Sequence, residues 1–265
     1  MFKTRLISGI VLVIILIVTV GVGNLLLYGV LLCASLIGLS ELYKVVKIQN
    51  KPIGIVGYLA AICYYILLYM NKLEYIMIFT ILLIMLLMAV YVFSYPKYAA
   101  SQIMTAFFGV FYVAVMLSYV YQTRMLSDGS VMVWLIFLSS WGCDTCAYCV
   151  GVLFGKHKMA PVLSPKKSVE GGIGGVAGAF LLGAIYALCM NLFVGADVSP
   201  ILCALICGVG GAISQIGDLS ASGIKRNHNI KDYGKLIPGH GGILDRFDSV
   251  IFTAPIIYYL ALYLG

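Results

Sequence analysis

The stretch from Gly217 to Ser249, GDLSASGIKRNHNIKDYGKLIPGHGGILDRFDS, gathers aspartates, five Lys or Arg and two His within a chain that is 62% hydrophobic. Charge kept in such apolar surroundings is costly and marks a place where chemistry is done. Asp218 closes the apolar run ICGVGGAISQIG. If the helix continues past it, Ser222 follows one turn later and Lys225 about two turns later on the same face, with Arg226 one step round. A carboxylate followed by two cations at that interval suits a divalent metal held beside the polyphosphate it neutralises. The second half supplies a complement. Gly239-His240-Gly241-Gly242 reads as a turn, after which Asp245 and Asp248 fall i, i+3 on one face of an entering helix, with Arg246 between them. One such Asp would be ordinary capping, since acidic residues favour a first turn through the helix dipole. Two in phase, beside Arg246 and paired with Asp218, predict a metal-phosphate site.

Other polar residues are weaker candidates. Asp144 is also embedded in an apolar run, WLIFLSSWGCDTCAYCVGVLF. Cys143, Cys146 and Cys149 are spaced i, i+3, i+6, but three thiols on an apolar helix without a fourth ligand read as small packing residues rather than a zinc site. The eight cysteines sit mostly in apolar runs, which argues against a disulfide framework. The run Gly171-Gly172-Ile173-Gly174-Gly175-Val176-Ala177-Gly178 either lets a helix approach its neighbour closely or presents free amides to a phosphate.

These residues must be positioned by membrane helices. With a mean hydropathy of +1.05 and only 10% charged residues, the 265-residue chain has too little polar surface for a water-soluble globule. Apolar runs recur at about the 20-residue length that spans hydrocarbon, and the alternating ten-residue segments of a transmembrane barrel are absent. The expected architecture is all-α and polytopic, a single membrane-embedded domain over 1–265. Its N-terminal helices, 1–130, would be scaffold and possible lipid cavity, and 131–265 would carry the catalytic helices and loops. About nine spans are expected, near 7–20, 24–42, 53–70, 75–94, 102–122, 131–153, 172–194, 200–222 and 249–264. The first two are separated only by Gly21-Val22-Gly23-Asn24, because one helix over the whole run would extend about 50 Å, too long for a bilayer without strong tilt.

Charge placement tests this count. With a cytoplasmic N-terminus and nine spans, the cytoplasmic segments hold every Lys and Arg except Lys72 and Arg124, as the positive-inside bias requires. Both long polar loops then face the cytoplasm. The basic-then-apolar start, Met1-Phe2-Lys3-Thr4-Arg5, lacks a small-x-small cleavage site and is expected to remain as a first helix.

With those residues placed, the chain closely resembles the phosphatidate cytidylyltransferase (CDP-diacylglycerol synthase) family. Ser222, Lys225, Arg226, Lys231, Asp232, Gly234, Pro238, His240, Gly241, Gly242, Asp245, Arg246 and Asp248 meet the family's C-terminal signature. Asp144, Ala147, Tyr148, Gly151, Phe154 and Gly155, then Ser164-Pro165-Lys166-Lys167-Ser168-Val169-Glu170-Gly171 with Gly174-Gly175, resemble its second block. The two blocks span about 141–249; the N-terminal half matches only in being hydrophobic helices. The resemblance implies transfer of CMP from CTP to phosphatidate, giving CDP-diacylglycerol and pyrophosphate. It implies Mg2+ at Asp218, Asp245 and Asp248, with a second cation, and it suggests a homodimer. Lys225, Arg226, Lys231 and Arg246 would hold phosphates, as would Ser164, Lys166, Lys167, Ser222 and His240. Asp144 and Glu170 are weaker site candidates, and His157 and His228 read as loop residues. The expected location is a bacterial plasma membrane with the site facing the cytoplasm.

Other classes fit less well. The net charge of +7 follows membrane topology rather than a nucleic-acid surface, so no nucleic-acid partner is expected. An ion-coupled transporter would show mirrored halves with matching interruptions, which are absent. A CDP-alcohol phosphotransferase would carry Asp-Gly-x-x-Ala-Arg, also absent. A CTP-dependent enzyme acting on another lipid phosphate or a polyprenol is the nearest alternative.

Overall fold

The structure, a computed structural model, describes residues 2–264, and side chains from Leu6 onward. The side chains of Lys3 and Arg5, counted in the topology above, lie outside that set. The chain is an all-α, polytopic membrane protein. Its elements in order are α1 (Phe2–Val22), α2 (Asn24–Val45), α3 (Pro52–Tyr69) and α4 (Ile76–Phe93); α5 (Ala100–Gly109), which runs through a π-turn at Val110–Val115 into α6 (Met116–Arg124); and α7 (Gly129–Phe137), which runs through a second π-turn at Leu138–Gly142 into α8 (Cys143–Phe154). A two-stranded ribbon follows, β1 (Lys158–Ala160) and β2 (Ser164–Ser168), then α9 (Val169–Val194), α10 (Pro200–Asn227) and α11 (Leu244–Leu264).

Among the described residues eight segments are long and apolar enough to cross a membrane, and the apolar part of α1, Leu6–Val22, falls just short of that length. The expected nine runs are therefore all present as helices, eight of them of full length. The break between the first two lies where it was expected. Gly23 has φ 68° and Asn24 φ 45°, left-handed values that end α1. Arg124, one of the two cations that escape the charge bias, caps this break: its Nε donates to the Val20 carbonyl at 3.1 Å and its Nη2 to Gly21 at 3.4 Å. A guanidinium on the last carbonyls of a helix satisfies acceptors that have no partner within it. The outward faces are apolar, as lipid contact requires. Along α4, only Phe79, Leu83 and Leu87 are buried, a one-sided seam at i, i+4, i+8.

The ribbon is an addition to the helical expectation. β1 pairs antiparallel with β2 in the register Lys158↔Ser168 and Ala160↔Ser164, with an irregularity between. Neither strand shows period-2 hydrophobicity, so the sequence carries no strand signal here.

Contacts gather into two compact units, each assembled from three stretches of chain. The first comprises residues up to Val13, Leu25–Ser118 and Asp232–Asp245. Its core is rich in tyrosine, and three of the buried hydroxyls hold elements together. Tyr43 donates to the Ala106 carbonyl at 2.7 Å, Tyr65 meets Ser35 at 2.9 Å, and Tyr64 meets Ser118 at 2.8 Å. These rings therefore support the fold.

The second unit comprises Ile14–Asn24, Tyr119–Lys231 and the chain from Arg246 onward. Here α8, α9 and α10 pack through small residues. A Cβ on Gly175 would stand 2.9 Å from the Cys143 carbonyl and from the Ala147 side chain, and one on Gly211 would stand 2.9 Å from Ala179. The first glycine of the run, Gly171, donates its amide to the Ser168 hydroxyl that caps α9, at 3.1 Å. The packing reading of this run thus has direct support.

Candidate active site

α10 continues without interruption to Asn227, so the condition on which Asp218, Ser222 and Lys225 share a face is met. Asp218 pairs with Lys167, which β2 delivers. The ribbon is held at its base by Glu170, whose carboxylate takes the Lys156 and His157 amides and lies 2.6 Å from His157 Nδ1. His157 is therefore more than a loop residue, and Glu170 acts on the ribbon that carries Lys167.

Asp248 stands in the second turn of α11 and is 7% exposed. The charges of Asp218, Lys225 and Asp144 all act on it. Asp144, in the first turn of α8, in turn feels Lys167, Asp218 and Arg246. Within this unit three carboxylates and three cations, drawn from α8, β2, α10 and α11, thus form one electrostatic cluster. Close helix contact permits it. A Cβ on Gly217 would be 2.8 Å from the Asp248 carbonyl oxygen and 3.1 Å from Phe252, so α10 and α11 meet there at backbone distance.

Arg246 carries a signal of its own. Its carbonyl accepts from the Trp141 indole at 3.4 Å, while its Nε is buried without a hydrogen-bond partner. A buried guanidinium donor left unmatched calls for an acceptor, and a phosphate oxygen has the right charge and geometry.

The loop 232–245 belongs to the first unit, and there two carboxylates organise it. Asp245, 5% exposed, accepts on Oδ2 from the amides of Tyr233 at 2.8 Å and Gly242 at 3.0 Å. Gly241, at φ 91°, leaves the room this needs, since a Cβ would sit 2.8 Å from Asp245 Oδ2. Glu41 of α2 accepts from the amides of Ile243 at 3.1 Å and Leu244 at 2.8 Å. His240 is turned to α1, its Nδ1 2.8 Å from the Ser8 hydroxyl, which also donates to the Pro238 carbonyl at 3.0 Å. Asp245 therefore has a loop-forming role that its spacing alone does not reveal.

The remaining candidates lie on β2, on the last turns of α10 and just past it. Ser164 is half-buried and Lys166 exposed on β2; Ser222 and Lys225 are half-buried on α10; Arg226 and Lys231 are exposed. The sequence reading missed Glu41 and Trp141. An acidic residue in the apolar run ASLIGLSELYKV was the available signal for the first; nothing local marks the second.

Among the described residues, no group of three His, Cys, Asp or Glu is placed to hold a metal ion alone. The donor set still fits Mg2+. That ion prefers oxygen, keeps several waters, and is usually held by one or two carboxylates together with substrate phosphates rather than by a closed protein cage. Asp144, Asp218 and Asp248 are hard oxygen donors whose charges already interact.

The model of the cytidylyltransferase family matches residues 3–264. A phosphatidate cytidylyltransferase of Staphylococcus epidermidis is 34% identical over 264 residues, covering 97% of this chain and 98% of that protein. Similar proteins of the same description in Staphylococcus saprophyticus, 43% identical over 149 residues, and Staphylococcus aureus, 40% identical over 151, align with 56% and 57% of the chain and with 55% and 56% of their own lengths.

Proposed function

We propose that this chain, which belongs to the cytidylyltransferase family, joins CTP to phosphatidate at the charge cluster of its second unit, giving CDP-diacylglycerol and pyrophosphate. It is a nucleotidyltransferase of phospholipid synthesis, as its relatives are named. The observation that carries the site assignment is the cluster of Asp144, Asp218 and Asp248 with Lys167, Lys225 and Arg246, gathered from four elements of an apolar protein.

The reaction is a displacement at phosphorus. A phosphatidate oxygen forms a bond to the α-phosphorus of CTP, and the bond to the β-phosphate oxygen breaks, releasing pyrophosphate. A phosphate monoester is already largely dianionic near pH 7, with its second pKa near 6, so it needs no general base. The chain's task is to bring two anions together and to stabilise the leaving one. Lys225 and Arg246 are suited to hold phosphate oxygens, and the unmatched Nε of Arg246 supports its role. Lys167, paired with Asp218, can turn from carboxylate to phosphate as substrate arrives. One or two carboxylates of the set Asp144, Asp218 and Asp248 would hold Mg2+ together with the substrate phosphates, and the ion when bound would neutralise phosphate oxygens and the departing pyrophosphate. Asp245 and Glu41 shape the loop that starts α11. Arg226, Lys231 and Lys166 are exposed cations suited to drawing in nucleotide. We place the site on the cytoplasmic face, where the charge bias puts both polar loops.

The test is turnover of labelled CTP by purified protein with a panel of lipid phosphates, phosphatidate and a polyprenyl phosphate among them. Asp218→Asn and Asp248→Asn should each lower turnover by about 100-fold or more while the protein still elutes as wild type. Normal turnover in both variants would refute the site. Preference for the polyprenyl phosphate would overturn the substrate.

A further inference from the structure

α11 begins without a cap of its own. The residue before Leu244 is Ile243, whose side chain has no acceptor, although the first amides of any helix lack partners within it. The acceptor comes instead from Glu41, some 200 residues earlier in the chain: Oε1 takes the Ile243 amide at 3.1 Å and Oε2 the Leu244 amide at 2.8 Å. Left alone, Glu41 would be badly placed. It is 7% exposed, and it sits in the last turns of α2, where the helix dipole disfavours an anion. Two glycines make the space it occupies, for a Cβ on Gly234 or on Gly242 would collide with its carboxylate. Three separate stretches of the first unit thus converge on the opening of one helix. A Ser, Thr or Asp at position 243 would cap that helix far more simply.

A carboxylate that takes two successive amides also fixes how the helix is rotated about its axis. A slip of one residue would turn every later side chain by about 100°. We infer that Glu41 is a positioning residue for nucleotidyl transfer, clamping the start of α11 so that Arg246 in the first turn and Asp248 in the second keep their bearing. The inference rests on the roles proposed above for those two residues.

The test uses full-length protein in detergent, with Glu41→Gln, Glu41→Ala and Gly242→Ala. CTP turnover with phosphatidate is measured beside hydrogen exchange over residues 239–248. Glu41→Ala should lower kcat by about 30-fold or more while KM for either substrate changes less than about threefold, because a misdirected helix disturbs alignment more than binding. Glu41→Gln, which keeps one acceptor oxygen, should fall between Ala and wild type. Gly242→Ala should reproduce the kcat loss, and combining it with Glu41→Ala should add little more. Exchange at the Ile243 and Leu244 amides should quicken in all three variants. Turnover within about threefold of wild type in folded Glu41→Ala overturns the inference, even if exchange quickens; should that variant fail to fold, the same result in Glu41→Gln and Gly242→Ala overturns it. If wild-type protein makes no CDP-diacylglycerol, the functional reading fails, and the exchange rates decide the clamp by themselves.

Discussion

Replacing Gly217 by Ala tests whether the backbone contact between α10 and α11 is needed for turnover. The added Cβ would sit 2.8 Å from the Asp248 carbonyl oxygen and 3.1 Å from Phe252, where ordinary contact begins at 3.4 Å, so the helices must part by about half an ångström. Overpacking of this kind costs about 1–3 kcal/mol, and Gly→Ala within a helix returns about 1 kcal/mol of backbone preference. The net loss of stability is then about 0–2 kcal/mol, too small to unfold the protein. Function should suffer more. A misplacement near 1 Å can cost about 100-fold, so half of that should lower kcat by about 10-fold through displacement of Asp218 from Asp248. The assay is CTP turnover with phosphatidate beside thermal unfolding in the same detergent. Gly29→Ala is the control, since a Cβ there meets nothing within 4 Å. Wild-type kcat in Gly217→Ala would refute the claim that this approach sets the carboxylate spacing.

Two further outcomes are expected. Lys225→Ala should raise KM for CTP by about 10-fold or more, the worth of one hydrogen bond to a charged group, while Lys44→Ala stays within about twofold; equal effects would reduce the basic cluster to a membrane anchor. In a background with the native cysteines replaced, a membrane-impermeant thiol reagent applied outside intact cells should label Asp197→Cys and spare Lys235→Cys, and the reverse pattern would overturn the orientation.

Much of this was legible in the sequence because membrane helices announce themselves by length. The Gly21–Asn24 break and the run of α10 past Asp218 followed from hydropathy and helical phase, and the structure bears out both. What was hidden depends on partners distant in sequence. Glu41 lies in a helix that reads as scaffold, and only the fold brings it to Ile243 and Leu244. Asp144 was ranked below Asp245, yet Asp144 joins the charges of Asp218, whereas one oxygen of Asp245 is taken by loop amides. The ribbon was missed because its residues, Lys-Met-Ala and Ser-Pro-Lys-Lys-Ser, are chosen for the charges they carry rather than for alternation.

The three-part construction of each unit has a consequence for biogenesis. Unit one is completed only by residues 232–245 and unit two only by the chain from 246 onward, while synthesis and insertion proceed from the N-terminus. Both modules therefore stay unfinished until the closing helix leaves the ribosome. A premature stop upstream of Leu244 would remove part of each unit rather than sparing one of them.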